Sequence, residues 1–240
     1  MFLLPWLAAA TMGFSKTALP AASILAVVLM AAAFPDSPQF SVGAMLPVLL
    51  VGDVIAVVRF GRHTRWEKLV GLFPFVLLGM IPGYLVLTWV EGAAFRALLG
   101  WFILALIALE MVRQRMHWDE MADRWWFTAA AGTTAGFGTI VANAGGPMMN
   151  LYLLSRNLPK EEFIGTCAWF FFLLNLTKIV PFWRQGMLSP EALRWGAWLA
   201  PAAVAGGLLG AWLLPRIAQR WFNALVWVLT AGTAVWLIRA

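Results

Sequence analysis

Charge is what this chain has least of. Only 12% of its 240 residues are charged, 17 Lys or Arg against 11 Asp or Glu, while 62% are hydrophobic. Soluble domains carry roughly 25% charged and roughly 45–50% apolar residues. So few charges cannot cover a water-facing surface of this size, and disorder and nucleic-acid binding are excluded with the soluble class. Cysteine is nearly absent too. Cys167 stands alone, so no internal disulfide can form and a secreted disulfide scaffold is excluded. Two histidines and one cysteine leave no metal cluster of those types, and no cofactor is expected. There is no GxxxxGK[ST] phosphate loop and no HExxH zinc motif. The first ten residues lack the basic stretch of a signal peptide, so the first segment is expected to remain in the mature protein.

What fills the chain instead is long apolar sequence, with a mean hydropathy of +0.81. A membrane-spanning helix needs about 20 apolar residues. Six stretches meet that need, at 42–60, 68–89, 94–112, 163–183, 192–214 and 221–238. The net charge of +6 then reads as basic residues held in cytoplasmic loops, and Trp125-Trp126 as an interfacial belt. Two further apolar regions are too long for one crossing and too short for two. Phe2 to Phe34 contains Gly13-Phe14-Ser15-Lys16-Thr17 with Pro20 beyond it. Trp126 to Leu154 contains Gly136-Phe137-Gly138-Thr139 and then Asn143-Ala144-Gly145-Gly146-Pro147. Both predict broken or re-entrant helices, which survive at membrane depth only in protein or beside a wet cavity.

The two broken regions correspond. A shift of 123 lays Gly13-Phe14 on Gly136-Phe137, and a shift of 122 lays Asp53 on Asn175. A shift of 127 lays Gly79 and Gly83 on Gly206 and Gly210. The predicted fold is therefore an all-α polytopic integral membrane protein of about eight hydrophobic segments. It has two homologous halves, each a broken element plus three transmembrane helices: a first repeat at 1–112, a polar linker at 113–125 and a second repeat at 126–240. Counting Lys and Arg per side barely separates parallel from inverted repeats. Segment length favours inversion, with loops 59–68 and 156–162 on one side.

The polar residues within these segments are the site candidates. Lys16, flanked by Ser15 and Thr17, is expected near a helix N-terminus, where backbone N–H groups and the dipole attract anions. The alternative is a lysine that reaches to a headgroup. Thr139, Asn143, Gly145, Gly146 and Asn150 supply a hydroxyl, amides and close backbone approach for a ligand. Close helix packing through small residues is the competing explanation. Asp53 lies mid-span and either couples proton movement or pairs with Lys16, while Asn175 is its mate in the repeat. Lys178, one turn beyond Asn175, either lines the pathway or reaches to the span end, the latter being favoured. His63 and His117 sit in charged loops and are expected to be solvated. Cys167, Met148 and Met149 read as apolar packing.

An intramembrane protease would need a second deep carboxylate or a histidine base, and neither is present. The Gly13–Thr17 segment, Val51-Gly52-Asp53, and Ala142-Asn143-Ala144-Gly145-Gly146-Pro147 together resemble the sulfite exporter TauE/SafE family of membrane permeases, in order and over nearly the whole chain. The chain has Ala18, Ala21 and Val28 where members commonly carry glycine, glycine and proline. The resemblance implies a permease of the bacterial inner membrane that moves small, often sulfur-containing anions such as sulfite or sulfonates outward. Its expected partners are the lipid bilayer, the anion, and protons or another coupling ion. An anion channel is the alternative and an intramembrane enzyme a distant one.

Overall fold

A computed structural model describes residues 3–89, 124–143, 145–156, 158–226 and 228. Among these, all regular structure is helical. The α-helices follow in the order α1 (Leu3–Thr17), α2 (Ser23–Ala33), α3 (Pro38–Phe60), α4 (Trp66–Trp89), α5 (Trp125–Ala142), α6 (Gly146–Leu154), α7 (Lys160–Arg184) and α8 (Pro190–Leu213), and residues 219–226 are helical as well. Among the described residues four stretches are long and apolar enough to cross a membrane: Gln39–His63, Trp66–Val86, Lys160–Arg184 and Pro190–Arg216. They coincide with four of the six expected spans. The span at 94–112 and most of that at 221–238 lie outside the described residues. Val58, Leu78, Ile81, Leu208 and Trp212 are exposed on these helices. So much exposed aliphatic surface suits lipid, not water.

Both expected breaks exist, but each falls later in the chain than the glycines suggested. Helix α1 runs unbroken through Gly13–Thr17 and stops because of Pro20. Pro20 has no N–H to offer the Lys16 carbonyl four residues back, and its ring would collide with it. Leu19, just before it, is pushed to an extended conformation (φ −135°, ψ 85°). Pro20–Ala22 then form one 3-10 turn and α2 begins. Helix α5 likewise continues through Gly136–Thr139 and ends at Asn143, whose φ of +52° is left-handed. Asn tolerates that region better than most non-glycine residues, and its backbone N–H closes the helix on the Thr139 carbonyl at 3.1 Å. At 1.5 Å per residue α1, α2 and α6 reach only about 22, 16 and 14 Å, short of a hydrocarbon core of about 30 Å.

The chain divides into two compact units, and each draws on both sequence halves. The first joins residues 1–65 to 160–222, so α1, α2 and α3 pack with α7 and α8. Helices α3 and α7 run antiparallel. Asp53 meets Asn175 at mid-helix, and the end of α3 meets the start of α7. There Arg65 forms a two-pronged ion pair with Glu162 at 2.6 and 2.7 Å, and the Thr64 hydroxyl donates to the Gly165 carbonyl at 2.9 Å. The second unit, residues 66–159 with 223–240, packs α4 against α5 and folds α6 back on α5.

Glycine sets both main interfaces. A Cβ on Gly13 or Gly206 would overlap the carbonyls of Ala203 and Ala10, which brings α1 and α8 to backbone contact. In the second unit a Cβ on Gly136 or Gly79 would overlap the carbonyls of Val76 and Thr133. Shifts of 123 and 127 carry the first set of contacts onto the second, residue by residue. These glycines serve close helix packing, which is why they do not break their helices.

Candidate functional site

Helix α1 offers Lys16 in its last turn, and α3 offers Asp53 at mid-helix. Lys16 Nζ lies 2.8 Å from Asp53 Oδ1, and both side chains are buried, 7% and 0% exposed. The lysine stem can reach there because Gly52 has no side chain: a Cβ at Gly52 would stand 3.0 Å from Lys16 Cγ. On the other side of the carboxylate, Asn175 of α7 donates its amide to Asp53 Oδ2 at 2.5 Å. Phe171, one turn earlier on α7, places its ring 4.2 Å from Lys16 Nζ. Three helices thus converge on one carboxylate.

The helix-terminus expectation for Lys16 needs correction. It sits in the last turn of α1, at the C-terminal end of the dipole. No free N–H groups accompany it there, and its favourable partners are the dipole's negative end and Asp53. The headgroup alternative fails as well, because the ammonium points into protein. Lys178 is corrected in the same sense. It is fully buried on α7, its ammonium 5.7 Å from the Phe182 ring, and does not reach to the span end. Cys167, Phe171, Asn175 and Lys178 recur every three or four residues, which sets them on one face of α7. All four are buried.

Two flanking candidates are engaged elsewhere. The Ser15 hydroxyl donates to its own helix, to the Met12 carbonyl at 2.7 Å. The Thr17 hydroxyl donates across to the Gly207 carbonyl of α8 at 2.8 Å, over the space left by Gly210. Only the Thr17 bond ties α1 to another helix, and in both residues the hydroxyl proton is already donated.

In the second unit Thr139 and Asn150 are buried, and Gly145 lies so close to α5 that a Cβ would press on the Ala135 carbonyl and Thr139. Gly146 opens α6. Asn150, one turn into α6, is 1% exposed, and neither its amide nitrogen nor its oxygen has a hydrogen-bond partner among the described residues. Native structures rarely leave a buried amide unsatisfied. The structure therefore gathers Lys16, Asp53, Asn175 and Lys178 in one unit, and Thr139, Asn143, Gly145, Gly146 and Asn150 in the other.

Phe171 is a residue the sequence did not single out, although it lies four residues before Asn175 on the same helical face. Gly52 entered only as part of the Val51-Gly52-Asp53 motif, with no role of its own. His63 accepts a hydrogen bond from Arg62 Nε at 3.0 Å in the exposed α3–α4 turn, and Met148, Met149 and Cys167 are buried. His117 lies outside the described residues. Among the described residues no group of His, Cys, Asp and Glu has the make-up of a metal site.

A family model, described as sulfite exporter TauE/SafE, matches residues 6–237, nearly the whole chain. No curated protein and no solved structure matches it.

Proposed function

The chain belongs to the sulfite exporter TauE/SafE family, and from that premise we propose that it is a secondary carrier that exports a small sulfur-containing anion, such as sulfite or a sulfonate, across a bacterial inner membrane. It is a membrane transporter by family and by its apolar helices. The observation that carries the finer reading is the Lys16–Asp53–Asn175 contact buried between α1, α3 and α7. Ionic groups inside a membrane are expensive and mark ion or substrate pathways. In this reading Lys16 exchanges Asp53 for the anion's oxygens, and Asp53 couples the exchange to a proton or another ion. Asn175 holds Asp53 in register, and Lys178 adds positive charge on the same face. In the second unit Asn150 is the leading candidate ligand, with Thr139, Asn143 and the Gly145-Gly146 backbone around the break.

The break elements and the antiparallel α3–α7 pair support an inverted repeat. If each broken region crossed the membrane once, loops 59–68 and 156–162 would fall on opposite faces, yet Arg65 and Glu162 are paired. Flux of labelled sulfite and methanesulfonate in proteoliposomes, with and without a pH gradient, tests the function. Saturable flux that responds to the gradient supports a carrier. Gradient-independent conductance of high turnover would make it a channel, and hydrolysis without flux would end the transport reading.

A further inference from the structure

Helix α6 starts just past the left-handed stop of α5, in a stretch bare of charge. From Trp125 to Leu154 there is no Lys, Arg, Asp or Glu. The two charged residues of α4, Glu67 and Lys68, stand in its first turn. Helix α6 is nine residues long, and Gly145, Gly146 and Met148 at its start are buried. The Met149 N–H donates to the Gly145 carbonyl at 3.2 Å, while Pro147 has no N–H. The N–H groups of Gly146 and Met148 have no acceptor within the helix, as at any helix N-terminus. A helical side chain leans toward the N-terminus and covers the turn before its own. Asn150 therefore lays its amide over this first turn. It is 1% exposed, and neither Nδ2 nor Oδ1 is partnered among the described residues.

We propose that the start of α6 is a binding site for a singly charged oxyanion that also carries a hydrogen-bond donor, with Asn150 reading both features. The proposal rests on the anion-carrier reading above and adds what the second unit selects. The positive end of a helix dipole amounts to about half a charge, and no lysine or arginine of α5 or α6 adds to it. Such a site suits one negative charge and leaves a second uncompensated. The Gly146 and Met148 N–H groups donate to the anion's oxygens. Asn150 has two needs of its own, because an amide is donor and acceptor at once. Its Nδ2 donates to another oxygen of the anion. Its Oδ1 accepts only from an O–H or N–H, which a plain alkyl sulfonate lacks. An anion without that donor leaves Oδ1 buried and unsatisfied, and sites built for a hydroxyl reject such analogues strongly. The class so selected is the hydroxyalkyl sulfonates, together with sulfite in its singly protonated form.

The test pairs two sulfonates of matched size: 2-hydroxyethanesulfonate, which ends in a hydroxyl, and propane-1-sulfonate, which ends in a methyl. Binding to the purified full chain is measured by titration calorimetry, and uptake of each by proteoliposomes. The wild type should bind the hydroxyl form roughly tenfold more tightly or better. Asn150→Leu should erase that preference, leaving the two sulfonates bound alike, and Asn150→Ala should do the same if the leucine variant folds poorly. Equal affinity for the two in the wild type would overturn the proposal, a buried water then being what completes the amide. A preference that survives in whichever variant folds would overturn it as well, because the hydroxyl is then read elsewhere. Saturable uptake alongside either of these results leaves the carrier reading intact. If neither sulfonate binds or moves in the wild type, both readings fall.

Discussion

Lys16 and Asp53 form a buried ion pair, so each depends on the other for stability. Removing one partner of a buried pair leaves the other charge uncompensated, at about 3–5 kcal/mol. Lys16→Met should therefore lower the unfolding temperature markedly, and Asp53→Asn in addition should recover most of the loss. Cys167, the single cysteine and 2% exposed, gives the measurement: a thiol-reactive fluorophore reports unfolding when it reaches that sulfur. Transport should be lost in both the single and the double variant, because the anion's cation is gone from each. Lys16→Arg should restore little, since a planar guanidinium cannot take the place of a compact ammonium threaded past Gly52. Asn150 should behave in the opposite way. Its buried amide has no partner among the described residues, at a cost of about 1–3 kcal/mol, so Asn150→Leu should raise the unfolding temperature while weakening transport. Greater heat stability with wild-type flux would remove Asn150 from the binding residues.

At the scale of the helices, the glycine contacts predict a matched pair of effects. Gly13→Ala and Gly136→Ala each drive a Cβ into a facing carbonyl, and forced overpacking destabilises by about 1–3 kcal/mol. Both variants should unfold at lower temperature in the Cys167 assay. Wild-type stability in either would mean its interface is looser than the contacts indicate. Asn143→Gly should be tolerated by the fold, whereas Asn143→Val should lose about 1–3 kcal/mol, because a β-branched residue resists φ +52°. Four of the six spans were legible in the sequence because lipid demands length and apolarity, and those survive in composition alone. The existence of the breaks was legible for the same reason. Their positions were not, since glycine in an apolar helix signals close packing as readily as a kink, and the stops come from Pro20 and from the left-handed Asn143. The repeat alignment set Asp53 against Asn175, and the two side chains turned out to touch. Which end of α1 held Lys16 could not be read, because that depends on where the helix stops.

For the whole molecule, the inverted repeat proposed above makes α3 and α7 antiparallel repeat mates. Single cysteines at positions 62 and 160, in a Cys167→Ser background, should react with an impermeant maleimide from the same side. Labelling from opposite sides would contradict the inverted repeat. The central claim is that anion passage depends on the buried charged cluster of the first unit. The most direct test compares labelled methanesulfonate uptake by proteoliposomes of the wild type and of the Lys16→Met/Asp53→Asn double variant, matched for insertion and unfolding temperature. The account predicts saturable uptake in the wild type and a fall of at least tenfold in the variant, about the loss of one hydrogen bond to a charged group. Equal uptake by the two would contradict it.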